Sequence, residues 1–131
     1  MRAKLGILIA GAGLLMSALP VFAHHSFAAE YDASKPVELH GRVTKVEWTN
    51  PHARFYMDIK DADGKVTTWN FELASPNVLT RNGWTRHSLQ EGDEITVQGS
   101  MAKDGSNLAN ARTVTLANGK KVFAGSNTDP K

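Results

Sequence analysis

"VELHGRVTKVEW", Val37 to Trp48, is the stretch on which the fold turns. Val37, Leu39, Gly41 and Val43 alternate as one face of a half-buried strand. The apolar phase then slips, and Val46 and Trp48 fall on the other parity. Side chains alternate with period two, so a one-residue slip inside a strand means a bulge or a sharp bend. Gly41 permits such a bend. A long, bent first strand can serve two sides of a small barrel.

The chain downstream reads as a series of short elements. "TNPH" (Thr49–His52) is a turn, punctuated by Asn-Pro. In "ARFYMDIK", Ala53, Phe55, Met57 and Ile59 point inward, and Arg54, Tyr56 and Asp58 point outward. "DADGK" (Asp61–Lys65) is a hairpin turn, with Asp63-Gly64 supplying the positive backbone angles. "VTTWNFEL" (Val66–Leu73) is a third strand with Trp69, Phe71 and Leu73 on one face. The period then changes. Ser75 suits an N-cap, Pro76 the first helical position and Asn82-Gly83 the end of a short helix. Trp84 and Leu89 seat the next segment on the core. A fourth strand follows with Ile95, Val97, Gly99 and Met101 inward, and "ARTVTL" and "KVF" flank an Asn-Gly hairpin signal.

This order predicts a mainly β fold. The expected form is a small five- to six-stranded OB-like barrel with one short helix between strands 3 and 4. A β-sandwich or another small open barrel is the competing architecture. Upstream, "SFAAEYDASKP" (Ser26–Pro36) is aperiodic and reads as part of an arm anchored by Phe27 and Tyr31. The expected organisation is a cleaved secretory signal at 1–23, an N-terminal arm at 24–36, the OB-like domain at 37–124 and a disordered tail at 125–131.

The signal has a short positive start (Arg2, Lys4), an uncharged apolar run from Leu5 to Leu19, and small residues at Val21 and Ala23 before the cut. The run is short for a membrane span; a retained anchor is the alternative. Removing Arg2 and Lys4 lowers the 15 Lys and Arg to 13, which balance the 13 Asp and Glu. A neutral exported domain is a poor nucleic-acid candidate, because phosphate affinity needs a basic face. The chain has no cysteine, so neither disulfides nor a lipidated cysteine are available and the core holds the fold unaided. The expected location is the periplasm, with no stable membrane anchor after cleavage.

Cleavage after Ala23 makes His24 the first residue. Its α-amino group, with a pKa near 8, loses its proton far more readily than a lysine. The amine and Nδ1 of one N-terminal histidine close a chelate ring, and His25 adds a second imidazole. Nitrogen-rich donors favour Cu(II) among first-row divalent ions. His52, in the turn after the first strand, is the third candidate metal ligand, and an arm folding back would bring His24 and His25 beside it. A turn histidine bonded to backbone is the plainer account of His52 alone. A cut after Ala28 would discard both N-terminal histidines. Trp48, Asn50, Arg54 and Tyr56 are candidate residues of a ligand face. No nucleophile elbow, phosphate loop or calcium loop is present. Glu38, Glu47, Asp58 and Glu72 read as solvated sheet charges.

The chain resembles a family of small exported bacterial proteins of unknown function. The resemblance rests on "HHSFAAEYD", on the Trp-x-Asn-Pro-His turn at Trp48–His52, and on "WNFELASPNVLTRNGW", "GDEITVQG" and "DGSNLANARTVTLANGKKVF". It implies an exported OB-like domain and no mechanism. The expected function is a periplasmic binding protein that takes a transition metal, copper first. The alternative is an OB-like adaptor for a peptide, glycan or partner protein with no role for metal.

Overall fold

In the computed structural model, which describes residues 27–125, the first strand bulges at Thr44. Strand β1 is Tyr31–Glu47 and β2 is Arg54–Lys60. Val43 lies opposite Met57 and Lys45 opposite Tyr56, so Thr44 has no residue of its own across the ladder. The phase slip in the sequence is this bulge. Val43 is fully buried before it, and Val46 and Trp48 pack half-buried on the core after it.

The bend lets β1 serve two neighbours. Its earlier part pairs with β4 (Glu94–Ala102), from Val37 opposite Gly99 to Arg42 opposite Glu94. Its later part pairs with β2. Strand β3 (Val66–Glu72) runs antiparallel to β2 and parallel to β5 (Leu108–Thr115), and β5 runs antiparallel to β4. The pairings of these five strands therefore return to β1. Inside the circuit Phe55, Met57, Phe71, Val97, Ala109 and Ala111 lose all contact with water. The Phe55 and Phe71 rings stack with centroids 5.0 Å apart. A sixth strand, β6 (Lys121–Phe123), extends the sheet from β5.

Strand β1 begins six residues before the expected start at Val37. Tyr31 pairs with Ala102 and Pro36 with Ser100, and the residues between them are looped out of register. The Asp32 carboxylate accepts from the Ser34 amide at 2.9 Å and from its hydroxyl at 2.6 Å, which closes that loop locally. Its exposed polar residues erase the alternation that would have marked the pairing. A short helix, α1 (Phe27–Glu30), precedes the strand. The last long strand also starts earlier than expected, at Leu108 rather than Ala111.

Helix α2 (Pro76–Arg81) follows β3 and precedes β4 in the chain. The Ser75 hydroxyl faces the Val78 amide as N-cap, and Gly83 leaves the helix with φ of 90°. Leu79, Trp84 and Leu89 are buried against the core. The Trp84 indole N–H donates to the Phe123 carbonyl at 2.8 Å, tying the segment after α2 to β6. Trp84→Phe keeps an aromatic ring but strands that acceptor. It is expected to cost about 2 kcal/mol in urea unfolding; a loss below about 0.5 kcal/mol would show that water replaces the indole freely.

The expected signal at 1–23 and the histidines His24 and His25 lie outside the described residues, as do residues 126–131 of the expected tail. Gly125, the tail's first residue, is buried.

Candidate functional site

The β2–β3 hairpin sets Arg54 opposite Glu72 at its open end. On the far side of β3, Asn110 of β5 is the partner of Glu72. Strand parity makes Glu72 a solvated sheet charge; instead its side chain keeps only 10% of its exposure. A charge taken out of water needs compensating cations and donors. Glu72 has both. Its Oε2 accepts from the Tyr31 hydroxyl at 3.1 Å and from Arg54 Nη2. Its Oε1 lies 3.9 Å from Nδ1 of His52.

Tyr31 is 2% exposed. Burial first, and the Glu72 carboxylate second, push its hydroxyl far above the ordinary tyrosine range, so it remains a donor. The segment before it is also held. Lys103 donates from its ammonium to the Ala28 carbonyl and from its amide to the Glu30 carbonyl at 3.0 Å. The Phe27 and Tyr31 rings lie 5.6 Å apart.

His52 sits just before β2, and its Nδ1 is 3.0 Å from the Leu73 carbonyl. A carbonyl oxygen only accepts, so Nδ1 carries a proton in this contact, and in the neutral form of the ring the lone pair is on Nε2. The ring is 34% exposed. Metal-binding histidines are commonly oriented in this way, with the non-ligating N–H given to a carbonyl or carboxylate.

The other expected residues divide. Arg54 points outward, as expected, but its guanidinium is engaged by Glu72. Tyr56 is half-buried beneath the Lys45 ammonium, which lies 5.4 Å from the ring centroid. Trp48 packs on the core, and Asn50 is exposed. His40 lies within the β1–β4 ladder, with its Nδ1 3.1 Å from the Thr96 hydroxyl, well along β1 from the turn that carries His52. Among the described residues, no three His, Asp or Glu side chains gather as a metal-ligand group. None of the described helices is long and apolar enough to cross a membrane.

The family of unknown function DUF6152 matches residues 12–111. The chain belongs to this family. No curated protein matches the DUF6152 chain. Among solved structures it is similar to the mitochondrial single-stranded DNA binding protein Rim1 of S. cerevisiae. The identity is 9% and the TM-score 0.46, over 63% of this chain and 91% of that one. The N-terminal domain of the PriB protein from Thermoanaerobacter tencongensis is similar at 15% identity and a TM-score of 0.42, over 63% and 96%. TiaS in its complex with a transfer RNA and ATP is similar at 23% identity and a TM-score of 0.43, over 62% of this chain and only 18% of that one.

Tyr31 is legible in the sequence as an anchor, but the burial of Glu72 and the bond between the two are not. Hairpin register was the available signal for the placing of Glu72. Arg54 and Glu72 are equidistant from Asp63 at the turn, which makes them cross-strand partners on one outward face.

Proposed function

We propose that this DUF6152 protein is an exported, periplasmic OB-like barrel that captures Cu(II) with the His24 amine and imidazole, His25 and His52. The observation that carries the reading is the His52 ring. Its Nδ1 faces the Leu73 carbonyl, so the neutral ring offers Nε2 as its lone-pair donor on a partly exposed side chain. Covalent reach supports it as well. His24 is three residues before Phe27, so the two Cα atoms are separated by at most roughly 11 Å. The Phe27 ring lies tilted beside that of Tyr31, whose hydroxyl is bonded to the carboxylate next to His52. Several nitrogen donors and no thiolate suit Cu(II) above Zn(II). Cleavage after Ala23 creates the terminal amine, so the site would be completed only on processing.

Titration calorimetry with Cu(II) tests this on protein beginning at His24. About one equivalent is expected to bind, and either His52→Ala or one extra residue ahead of His24 is expected to weaken binding about 10- to 100-fold. Equal affinity with native and extended N-termini would rule the chelate out.

A second reading is an adaptor for a peptide, glycan or partner protein. It is favoured by the outward Lys45–Tyr56 pair, where a cation over an aromatic ring offers a polar and stacking surface on β1 and β2. Capture of a periplasmic partner that is lost with Tyr56→Ala but kept under chelation would select it.

A further inference from the structure

We propose that two copies of this protein pair antiparallel through the outer edge of β1, with Leu39 on the twofold axis. The pairing uses none of the residues of the copper reading. The first half of β1 forms one sheet with β4, β5 and β6. On the β6 side the chain closes its own edge. There the Phe123 carbonyl accepts from the Trp84 indole, and the Ala124 carbonyl accepts from the Ala74 amide. The β1 side differs. From Val37 to Gly41 the strand pairs with β4 alone, because the β2 ladder starts only at Arg42 opposite Asp58. Val43 shows which way the backbone groups point. Its amide donates to Asp93 and its carbonyl accepts from Gly92, both on the β4 side. Direction alternates along a strand, so Val37, Leu39 and Gly41 face β4, while Glu38 and His40 face outward. Among the described residues, no group bonds to the outward amides and carbonyls of Glu38 and His40. Such an edge is a template for a strand of another chain.

The same strand of a second copy fits this edge in one register. An axis through Val37 or Glu38 would set Pro36 against an outward residue, and proline has no N–H to give. The axis through Glu38 would also oppose two carboxylates. An axis through His40 would pair Glu38 with Arg42, whose outward side already serves β2. An axis through Leu39 meets none of these obstacles. It sets Glu38 opposite His40 of the second copy twice over, which gives four main-chain hydrogen bonds. On the solvent face each Glu38 carboxylate then meets an imidazole, an acceptor against a donor. Both side chains are exposed and already placed on that face by β4. Gln98 donates to the Glu38 carboxylate, and Thr96 lies 3.1 Å from His40 Nδ1. The His40 Nε2 is 3.6 Å from Glu94 Oε2, too far for a hydrogen bond, so it is available to the second copy. On the opposite face the half-buried Leu39 meets its own copy.

Sedimentation equilibrium of protein beginning at His24 is the first test. A dimer with a Kd on the order of 10–100 μM is expected, because the shared edge is short. Cysteine substitution then reads the register, since the chain has no cysteine of its own. Leu39→Cys places two thiols across a non-hydrogen-bonded pair, with Cα atoms about 4.5 Å apart, within the span of a disulfide. It is expected to cross-link under mild oxidation at least about tenfold faster than Val37→Cys or Thr67→Cys. Thr67 is the control because β3 has no β5 partner before Asn70. His40→Glu opposes carboxylates across the axis and is expected to weaken the dimer about tenfold. Adding Glu38→Lys to it is expected to restore most of the affinity, which a general loosening of the fold would not do. Thermal melting shows whether each variant is folded, and if His40→Glu is not, the cysteine comparison decides alone. A single monomeric species up to about 500 μM would overturn the proposal. So would a dimer in which Leu39→Cys cross-links no faster than the controls, or in which Thr67→Cys is the fastest, which would put the contact on β3.

Discussion

Gly99→Ala is expected to destabilise the protein by about 3 kcal/mol or more, a large part of the 5–15 kcal/mol that holds a typical domain folded. A Cβ at this position would collide with the Asn110 carbonyl oxygen, and would lie 2.9 Å from its carbon and 3.2 Å from Ala111 Cα. All three are backbone atoms, so no rotamer change relieves the clash. Gly99 also stands between two ladders, opposite Val37 on β1 and Ala111 on β5. The β4–β5 register shifts at this point, between Gln98 and Gly99, where Arg112 is the extra residue on β5. Moving Asn110 away would pull β5 from β3, because Asn110 is the parallel partner of Glu72. The substitution therefore strikes the seam that closes the strand circuit. Gly105→Ala is the control. Gly105 has a φ of 77° but no atom within 4 Å of a built Cβ, so only backbone strain opposes a side chain there. It is expected to cost about 1 kcal/mol. Urea unfolding of the two variants decides the matter: similar losses would mean that the β4–β5 seam relaxes around a methyl group.

That seam shows where a sequence reading ends. The bulge at Thr44 was legible because both flanking faces are apolar and the parity change is written in Val43 and Val46. The turn at Asp63-Gly64 and the cap at Ser75 were legible because each needs a particular residue chemistry within a few positions. The parallel β3–β5 pairing has no such local mark. It joins Asn70 to Leu108 and Glu72 to Asn110 across a helix and a whole strand, and it is set by closure of the sheet. The site is divided in the same way. His52 could be placed in a turn, and hairpin register could place Arg54 against Glu72. The burial of Glu72 could not be foreseen, because the group that covers it is Tyr31, 41 residues away, on a stretch whose looped-out Asp32–Lys35 hides its strand character. Outward parity predicted solvent for Glu72; the chain itself covers that position.

Arg54→Met is expected to cost about 3 kcal/mol, because it removes the cation from a carboxylate that remains buried. Glu72 keeps 10% of its side-chain exposure, and Arg54 keeps 29%. Water can therefore enter in part when the guanidinium leaves, which places the loss at the lower end of the range for broken buried pairs. Methionine retains much of the arginine's apolar stem, so the change isolates the charge. The Tyr31 hydroxyl would still donate to Glu72, but one neutral donor does not replace a guanidinium. Adding Glu72→Gln to Arg54→Met is expected to recover most of the loss in chemical denaturation, since the uncompensated charge is then gone. Arg42→Met is the comparison on the surface. Arg42 pairs with Glu94 at 3.0 Å, but their side chains are 65% and 49% exposed, so that change is expected to have little effect. If Arg54→Met proves as mild as Arg42→Met, Glu72 reaches water in solution. The carboxylate beside His52 would then be free to move, and the bond from Tyr31 would have no fixed anchor on β3.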